Sequence, residues 1–347
     1  MQTVLLLFGG ESSEHDVSIA SALNVSQAID PEKFNLIYGY INKEGLLWFV
    51  GGISHDLPKN ARQLLPILGA KAFAIEGTED TIQPDVILPI LHGRNGEDGS
   101  VQALGQLVHI PVVGCDMTAS AAAMNKYITK LLAIANNLLV APFKVHYAAD
   151  PFPNYAEVAA RLSPTLFVKP ANAGSSVGVH KVTNQEELDA AITDAHTHDE
   201  IVLLESAINA RELEVAVLGN YPNIEASAVA EVKPDGDFYS YESKYDEAST
   251  SEVMIPADIA PEVAQELRQQ AIQVFRLLGA SGMARIDFFI DKDSGDIYLN
   301  EVNTIPGFTN ISVYPKAWEA AGVSYAQLIE RLISLALDKP VYSSSAK

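Results

Sequence analysis

Two hydrophobic rhythms alternate along the chain: short apolar runs that end at glycine, and longer stretches whose apolar residues recur every three to four positions. Residues 3–8 form a run of the first kind, closed by Gly9 and Gly10. After the polar segment 11–18, Ile19, Ala22, Leu23, Val25 and Ile29 share one side of a helix that Asp30-Pro31 stops. Ser13 with Asp16 is suited to cap its start. Strand, glycine turn and helix make the opening of an α/β domain. It is not a dinucleotide-binding opening, because G-x-G-x-x-G is missing. Residues 34–42, 45–50 and 86–91 read as further strands, 100–108 as a helix and 111–114 as a short strand. Residues 51–80 carry little signal. Residues 119–136 read as one long helix with Lys126 and Lys130 a turn apart on one face, where solvated lysines are the default.

The second half continues with a strand at 165–169, a helix at 184–197 and strands at 200–205 and 211–218, with 222–237 extending the sheet. Residues 238–252 are polar and without period, the pattern of a lid or binding loop. Residues 261–278 form an amphipathic helix, and 325–337 close the chain with another. Between them lie two short strands, 284–290 and 297–303, joined by the turn 291–296; the helix at 261–278 is expected to pack behind this hairpin.

The chain of 347 residues is too long for one ordinary core, so two or three domains are expected. A net charge of −21 argues against nucleic acid or an anionic membrane as partner. A polyphosphate ligand would therefore need its positive field from a few well-placed lysines and arginines. The single Cys115 excludes an intrachain disulfide and fits a reducing compartment. The apolar run at 3–8 is too short for a signal peptide, and no run reaches the length of a membrane span. A cytoplasmic protein is expected.

Candidate chemistry centres on the hairpin. Side chains alternate along a strand, so Arg285 and Asp287 share a face, as do Glu301 and Asn303. A register that sets Asp287 opposite Glu301 would place two carboxylates against each other, which weakens a sheet unless a cation lies between them. Asp, Glu and Asn are hard oxygen donors, the set magnesium takes beside substrate phosphates. The hydroxyl- and glycine-rich stretch 174–178, with Lys169 before it, is a flexible loop able to fold over phosphates. The loop from His92 to Gly99 follows an apolar strand, where α/β sheets place ligands. Glu205 and Glu212 flank a connector whose backbone could meet an adenine edge.

In order, these motifs are Gly9-Gly10-x-Ser12-x-Glu14-His15, Leu91-His92-Gly93-Arg94-x-Gly96-Glu97-Asp98-Gly99, Met124-x-Lys126, Val168-Lys169-Pro170 with Gly174-Ser175-Ser176-x-Gly178, Lys244-Tyr245, and Arg285-Ile286-Asp287 with Asn300-Glu301-x-Asn303-Thr304-x-Pro306-Gly307-Phe308-Thr309. The series resembles the D-alanine–D-alanine ligases of the ATP-grasp superfamily, from about Phe8 to Pro315. Each motif is weak by itself; the ordered set is specific.

The resemblance implies an α/β fold, α+β in part, of the ATP-grasp type. It implies three domains with an N-terminal Rossmann-like open sheet, divided at 1–115, 116–210 and 211–347. It implies ligation of two D-alanines through an acyl phosphate, with release of ADP and phosphate, for peptidoglycan precursors. ATP and two Mg2+ or Mn2+ ions are the implied cosubstrate and cofactors, and a homodimer the implied assembly. Carried over, Lys126 and Lys169 meet the ATP phosphates, beneath a loop that includes Ser175 and Ser176, and Lys244 is a further ATP-binding residue. Glu205, Ser206 and Ile208 meet the adenine, and Glu212 the ribose. Asp287, Glu301 and Asn303 hold the metals. Glu14, Val17 and His92 line the first D-alanine site. Arg285 and the Gly307 N–H face the oxyanion, and Ser312 and Val313 grip the second substrate. A Glu14–Ser175–Tyr245 network ties the lid to the first site. Val313 replaces the larger aliphatic residue common in relatives, which bears on the choice of second substrate. Tyr245 resembles the dipeptide-forming members rather than the ester-forming ones. A D-alanyl–D-lactate or D-alanyl–D-serine ligase would share the ATP and metal residues, and another carboxylate–amine ligase would keep the hairpin but lack the Glu14 and His92 loops.

Overall fold

The computed structural model describes residues 1–233 and 252–339. Its first part is a seven-stranded sheet of β1 (Gln2–Gly9), β2 (Phe34–Ile41), β3 (Leu47–Val50), β4 (Arg62–Ile67), β5 (Ala72–Ile75), β6 (Thr81–Ile82) and β7 (Val86–Ile90), in the order β6-β5-β4-β3-β2-β1-β7. Strand β1 runs parallel to both β2 and β7. Its unbroken apolar run follows from burial on both faces. Val4, Leu6 and Phe8 join one core with helix α1 (His15–Ala28), while Leu5 and Leu7 join another with helix α2 (Ser100–Val108). Residues 51–80, which carried little signal, supply β4 and β5 as an antiparallel extension of this sheet. Residues 111–114 contribute only an isolated bridge between Ile87 and Val112 rather than a strand.

Two local expectations are corrected. Helix α1 begins with Glu14 at its N-cap position and no side-chain cap, so Ser13 and Asp16 do not form the anticipated capping pair. Ser12 braces this turn instead, accepting from the Glu14 N–H at 3.2 Å and donating to the His92 carbonyl at 2.7 Å. The long helix anticipated at 119–136 is two helices, α3 (Met117–Met124) and α4 (Lys126–Ala135), broken at Asn125. The Asn125 side chain caps α4 by accepting from the Ile128 N–H, and the Lys126 N–H turns away to the Ala171 carbonyl at 2.9 Å.

After the short strand β8 (Leu139–Val140), an antiparallel four-stranded sheet is built from β9 (Phe143–Tyr147), β10 (Leu166–Pro170), β11 (His180–Val182) and β12 (Ile201–Ser206). Helices α5 (Tyr155–Arg161) and α6 (Gln185–Ala195) give this sheet its own apolar core. A six-stranded sheet follows, with β13 (Ala210–Asn220), β14 (Asn223–Lys233), β15 (Glu252–Met254), β16 (Gly282–Asp291) and β17 (Ile297–Asn303), in the order β15-β14-β13-β16-β17-β8. Helix α7 (Pro261–Leu277) packs Leu267, Ala271, Val274 and Phe275 behind the β16–β17 hairpin, as its apolar stripe predicted. Helices α8 (Val313–Ala320) and α9 (Tyr325–Leu337) bring the chain back: Leu328, Leu332 and Ile333 share the core of Val4, Leu6 and Phe8. Among the described residues, no helix is long and apolar enough to cross a membrane.

Candidate active site

The four- and six-stranded sheets enclose a cleft of about 870 Å³, within the range of small-molecule and cofactor sites. Lys126, Lys169, Ser175, Ser176, Glu205, Ser206, Ile208, Glu212, Asp287 and Glu301 line it. Residues read from separate motifs thus converge on one space. Lys244 and Tyr245 lie outside the described residues, so the Glu14–Ser175–Tyr245 network lies partly outside them too.

One wall of the cleft is backed by a buried cluster of three charges. Glu205, near the end of β12, sits between Lys169 Nζ at 2.7 Å and Lys130 Nζ at 3.1 Å. Lys130 is 1% exposed and Glu205 2%, so neither lysine nor carboxylate is the solvated group expected of charged side chains. Burial alone would raise the Glu205 pKa, but the two ammoniums outweigh it and hold the carboxyl below its ordinary range. For Lys130 burial dominates and lowers the pKa against the pull of Glu205.

Lys126 joins the glycine loop to the hairpin. Its ammonium donates to the Ala173 carbonyl at 2.6 Å and lies 3.5 Å from Glu301 Oε2. The loop itself is fastened at its base by Asp199, whose Oδ2 accepts from both the N–H and the side-chain amide of Asn172 at 2.7 Å. Ser175 and Ser176 take φ of 52° and 58°, left-handed values that L residues seldom adopt in succession. Gly178, at φ 67°, has no room for a side chain, since a Cβ would meet His198 at 2.7 Å and Pro170 at 2.9 Å.

In the hairpin, Asp287 faces Glu301 across β16 and β17, the register the alternation suggested, with a bulge immediately after. On its other side Asp287 faces Glu214 of β13. Three carboxylates therefore stand in one row across three strands. Arg285 is shared between two of them: Nε and Nη2 donate to the two Asp287 oxygens at 2.8 and 2.7 Å, and Nε lies 3.0 Å from Glu214 Oε2. Burial opposes this charge, but Asp287 and Glu214 prevail and push the Arg285 pKa well up. Asn303 Nδ2 donates to Asp287 Oδ2 at 3.0 Å. Among the described residues no three His, Cys, Asp or Glu side chains converge as a ready metal cage. The donors nonetheless fit a hard divalent ion: two carboxylates in register and an amide beside them, with protein cations now occupying the carboxylate oxygens.

A second cluster lies where the loop after β7 meets the exit of β17. His92, 3% exposed, has Nδ1 3.1 Å from the Ile305 carbonyl and 3.8 Å from Glu97 Oε1, with Nε2 3.2 Å from Ser21 Oγ. Thr304 Oγ1 donates to the Glu97 carbonyl at 3.3 Å. Glu14 is buried against bare backbone, its Oε2 at 3.1 Å from where a Gly93 Cβ would stand. Burial lowers the His92 pKa, but Glu97 and Glu14 together more than reverse it. Burial pushes the Glu97 pKa up. Val17 is half-buried in the first turn of α1. Gly307 abuts Ser312, whose Oγ would lie 2.7 Å from a Cβ there and which also accepts from the Thr309 N–H at 3.1 Å. Val313 opens α8 directly after.

Sequence reasoning left out Lys130, Glu214 and Glu97 as site residues. Lys130 carried a signal in its i, i+4 spacing from Lys126, and Glu97 in its charged loop. Glu214 had only its i+2 relation to Glu212, and its place beside Asp287 depends on a pairing made 73 residues apart in the chain. The pair Arg211–Glu231 also lines the cleft, joined by two hydrogen bonds of 2.7 Å.

Comparison with known proteins agrees with this arrangement. The family profile described as "D-ala D-ala ligase N-terminus" matches residues 3–115, and "D-ala D-ala ligase C-terminus" matches residues 131–334. The chain is 43% identical to the D-alanine--D-alanine ligase of Caldicellulosiruptor bescii, over 99% of this chain and 97% of that protein. It is 41% identical to D-alanine--D-alanine ligase A of Escherichia coli, with the same coverage. Among solved structures, the VanG D-Ala:D-Ser ligase of Enterococcus faecalis superposes with a TM-score of 0.87 at 34% identity, over 96% of this chain and 99% of that one. The D-alanine-D-alanine ligase of Coxiella burnetii gives 0.85 at 32% identity, over 97% and 94%.

Proposed function

The chain belongs to the D-alanine–D-alanine ligase family, and from that premise we propose how its own residues divide the work. It is an ATP-dependent, ADP-forming ligase of ATP-grasp fold that joins two D-alanine molecules for peptidoglycan precursor synthesis. The reading of the site rests chiefly on one observation. The His92 loop and the exit of the β16–β17 hairpin are hydrogen-bonded to each other through His92–Ile305 and Thr304–Glu97, so the Glu14–His92 cluster borders the hairpin that lines the nucleotide cleft.

Glu205 and the backbone from Ser206 to Ile208 receive the adenine; Glu205 keeps acceptor capacity beyond its two lysines, since a carboxylate offers about four lone-pair sites. Glu212 takes the ribose hydroxyls. Lys126 and Lys169, with Lys244 as a further ATP-binding residue, neutralise the phosphates under the loop of Ser175 and Ser176, in a transfer that depends on positioning and charge more than on covalent help. Asp287, Glu301 and Asn303 would hold two Mg2+ or Mn2+ ions, which when bound supply charge neutralisation at the phosphates. Glu14, Val17 and His92 seat the first D-alanine. Its carboxylate attacks the γ-phosphorus, ADP leaves, and the acyl phosphate results. Ser312 and Val313 hold the second D-alanine by its carboxylate while its free amine attacks the acyl carbon. Arg285 and the Gly307 N–H stabilise the tetrahedral oxyanion until phosphate departs.

We divide the chain at 1–115, 116–210 and 211–347, and place it in the cytoplasm as a homodimer. D-alanine is preferred as second substrate, and the likeness to a D-Ala:D-Ser ligase makes D-serine the competitor to exclude. The deciding experiment follows ADP release with ATP and Mg2+, using D-alanine alone, D-alanine with D-serine or D-lactate, and L-alanine. Rapid turnover on D-alanine alone, yielding D-alanyl-D-alanine, supports the reading. Turnover only with a second acceptor reassigns the acceptor site.

A further inference from the structure

Both carboxylates assigned to the metal ions are occupied by the protein's own cations. Glu301 lies 3.5 Å from the Lys126 ammonium, and Asp287 receives both arms of the Arg285 fork together with the Asn303 amide. A divalent cation at Asp287 is repelled by a guanidinium held on both of its oxygens, so it binds best once Arg285 has moved off. Arg285 cannot then be left alone, because its side chain is only 16% exposed and an uncompensated buried guanidinium is costly. Glu214 is the group placed to prevent this. It is 8% exposed in its side chain, stands in register with Asp287 one strand away, and already lies 3.0 Å from Arg285 Nε. Neither Glu301 nor Asn303 can do the same: one is itself a proposed ligand, and the other is uncharged.

We propose that Glu214 is a positioning residue that holds Arg285 when Asp287 is given to a divalent cation, so that Arg285 has two alternative carboxylate partners and metal affinity depends on Glu214 through Arg285. This rests on the assignment of Asp287 as a metal ligand. It gives Glu214 a purpose that nucleotide binding does not. The Glu214 carboxylate is set beside the Arg285 guanidinium, and Glu212, two residues earlier on the same face of β13, remains for the ribose. It also explains why an acidic row of three is tolerated across neighbouring strands: one arginine is shared between two of its members.

The test is a double-mutant cycle read by Mn2+ binding rather than by turnover. Free Mn2+ is titrated by electron paramagnetic resonance at saturating ADP, with wild type, Glu214→Gln, Arg285→Gln, the double variant, and Asp287→Asn as control. Glu214→Gln is expected to weaken Mn2+ binding about tenfold where Arg285 is present, because the arginine then holds Asp287 as its only full counter-charge. Arg285→Gln is expected to tighten Mn2+ binding, and in that background Glu214→Gln changes affinity by less than about twofold. The same weakening in both backgrounds would mean that Glu214 acts as a ligand or by its charge alone, and overturns the proposal. Wild type and Asp287→Asn binding Mn2+ alike would remove the metal assignment and this inference with it. Should Glu214→Gln not fold, Glu214→Asp, which keeps the charge but shortens the arm, goes through the same cycle with the same two readings.

Discussion

Lys130 Nζ lies 3.1 Å from Glu205 Oε1, and both side chains are almost wholly sealed from water. Such a pair adds little if replaced whole, but removal of the shared carboxylate leaves Lys130 buried without its counter-charge, whereas removal of Lys130 leaves Glu205 with Lys169 at 2.7 Å. Glu205→Gln should therefore cost about 3–5 kcal/mol of folding stability in urea denaturation and Lys130→Met less, with part of the Glu205→Gln loss recovered in the Lys130→Met/Glu205→Gln double variant. The pH dependence has a definite sign. Glu205 has a lowered folded pKa, so its contribution is in place above the unfolded value of about 4.3 and is lost as pH falls through the folded one. Glu205→Gln should flatten that acid limb.

His92 behaves oppositely. Glu97 and Glu14 face it as charged partners and Ser21 Oγ and the Ile305 carbonyl as neutral ones, and its folded pKa is raised. Its stabilising contribution is complete below the unfolded value of about 6.5 and is lost as pH rises through the folded value. The stability difference between wild type and His92→Gln, measured by thermal unfolding from pH 5 to 9, should be largest at the acid end and shrink towards the alkaline. A difference that grows with pH would contradict the assignment of an imidazolium between these carboxylates.

Asp287→Asn should keep the fold, since Arg285 retains Glu214 as a partner. ADP release should nonetheless fall by about 10²-fold or more, because a charge at the phosphate-transfer site is lost. Near-wild-type turnover with unchanged circular dichroism would count against the hairpin as the metal site.

Gly282 begins β16 at φ 71°, and a Cβ there would stand 2.9 Å from the Gly114 Cα. The two backbones touch at the seam between the first sheet and the third, where Cys115 Sγ also donates to the Met283 carbonyl at 3.4 Å. Gly282→Ala should cost at least about 1–3 kcal/mol from conformational strain alone, visible as a lowered Tm. Gly279→Ala, at φ 65° but in open space, provides the comparison without the clash.

Local pattern carried much of the fold. The apolar run of β1, the stripe of α7 and the limits of α2 and α9 were readable because burial on one or two faces imposes a period that a short window reveals. The break between α3 and α4 was not, since apolar period continues across Asn125 and the Lys126 N–H is diverted by a carbonyl 45 residues away. Strands β4 and β5 were missed because their faces are mixed, with Leu65 exposed beside buried Leu64 and Phe73.

The sequence by itself determined which chemistry was present: hard oxygen donors on alternating strand positions, a hydroxyl-rich glycine loop, lysines one helical turn apart, and an ordered motif set. Those are local facts of residue type and spacing. Only the tertiary structure decided which charges face which. Lys130 reads as solvated until the Asn125 turn and β12 bury it on Glu205, and Glu214 reads as one more acidic strand residue until β13 pairs with β16 and sets it beside Arg285. Electrostatic roles depend on distance and burial, and both are set by strand pairings between segments tens of residues apart in the chain.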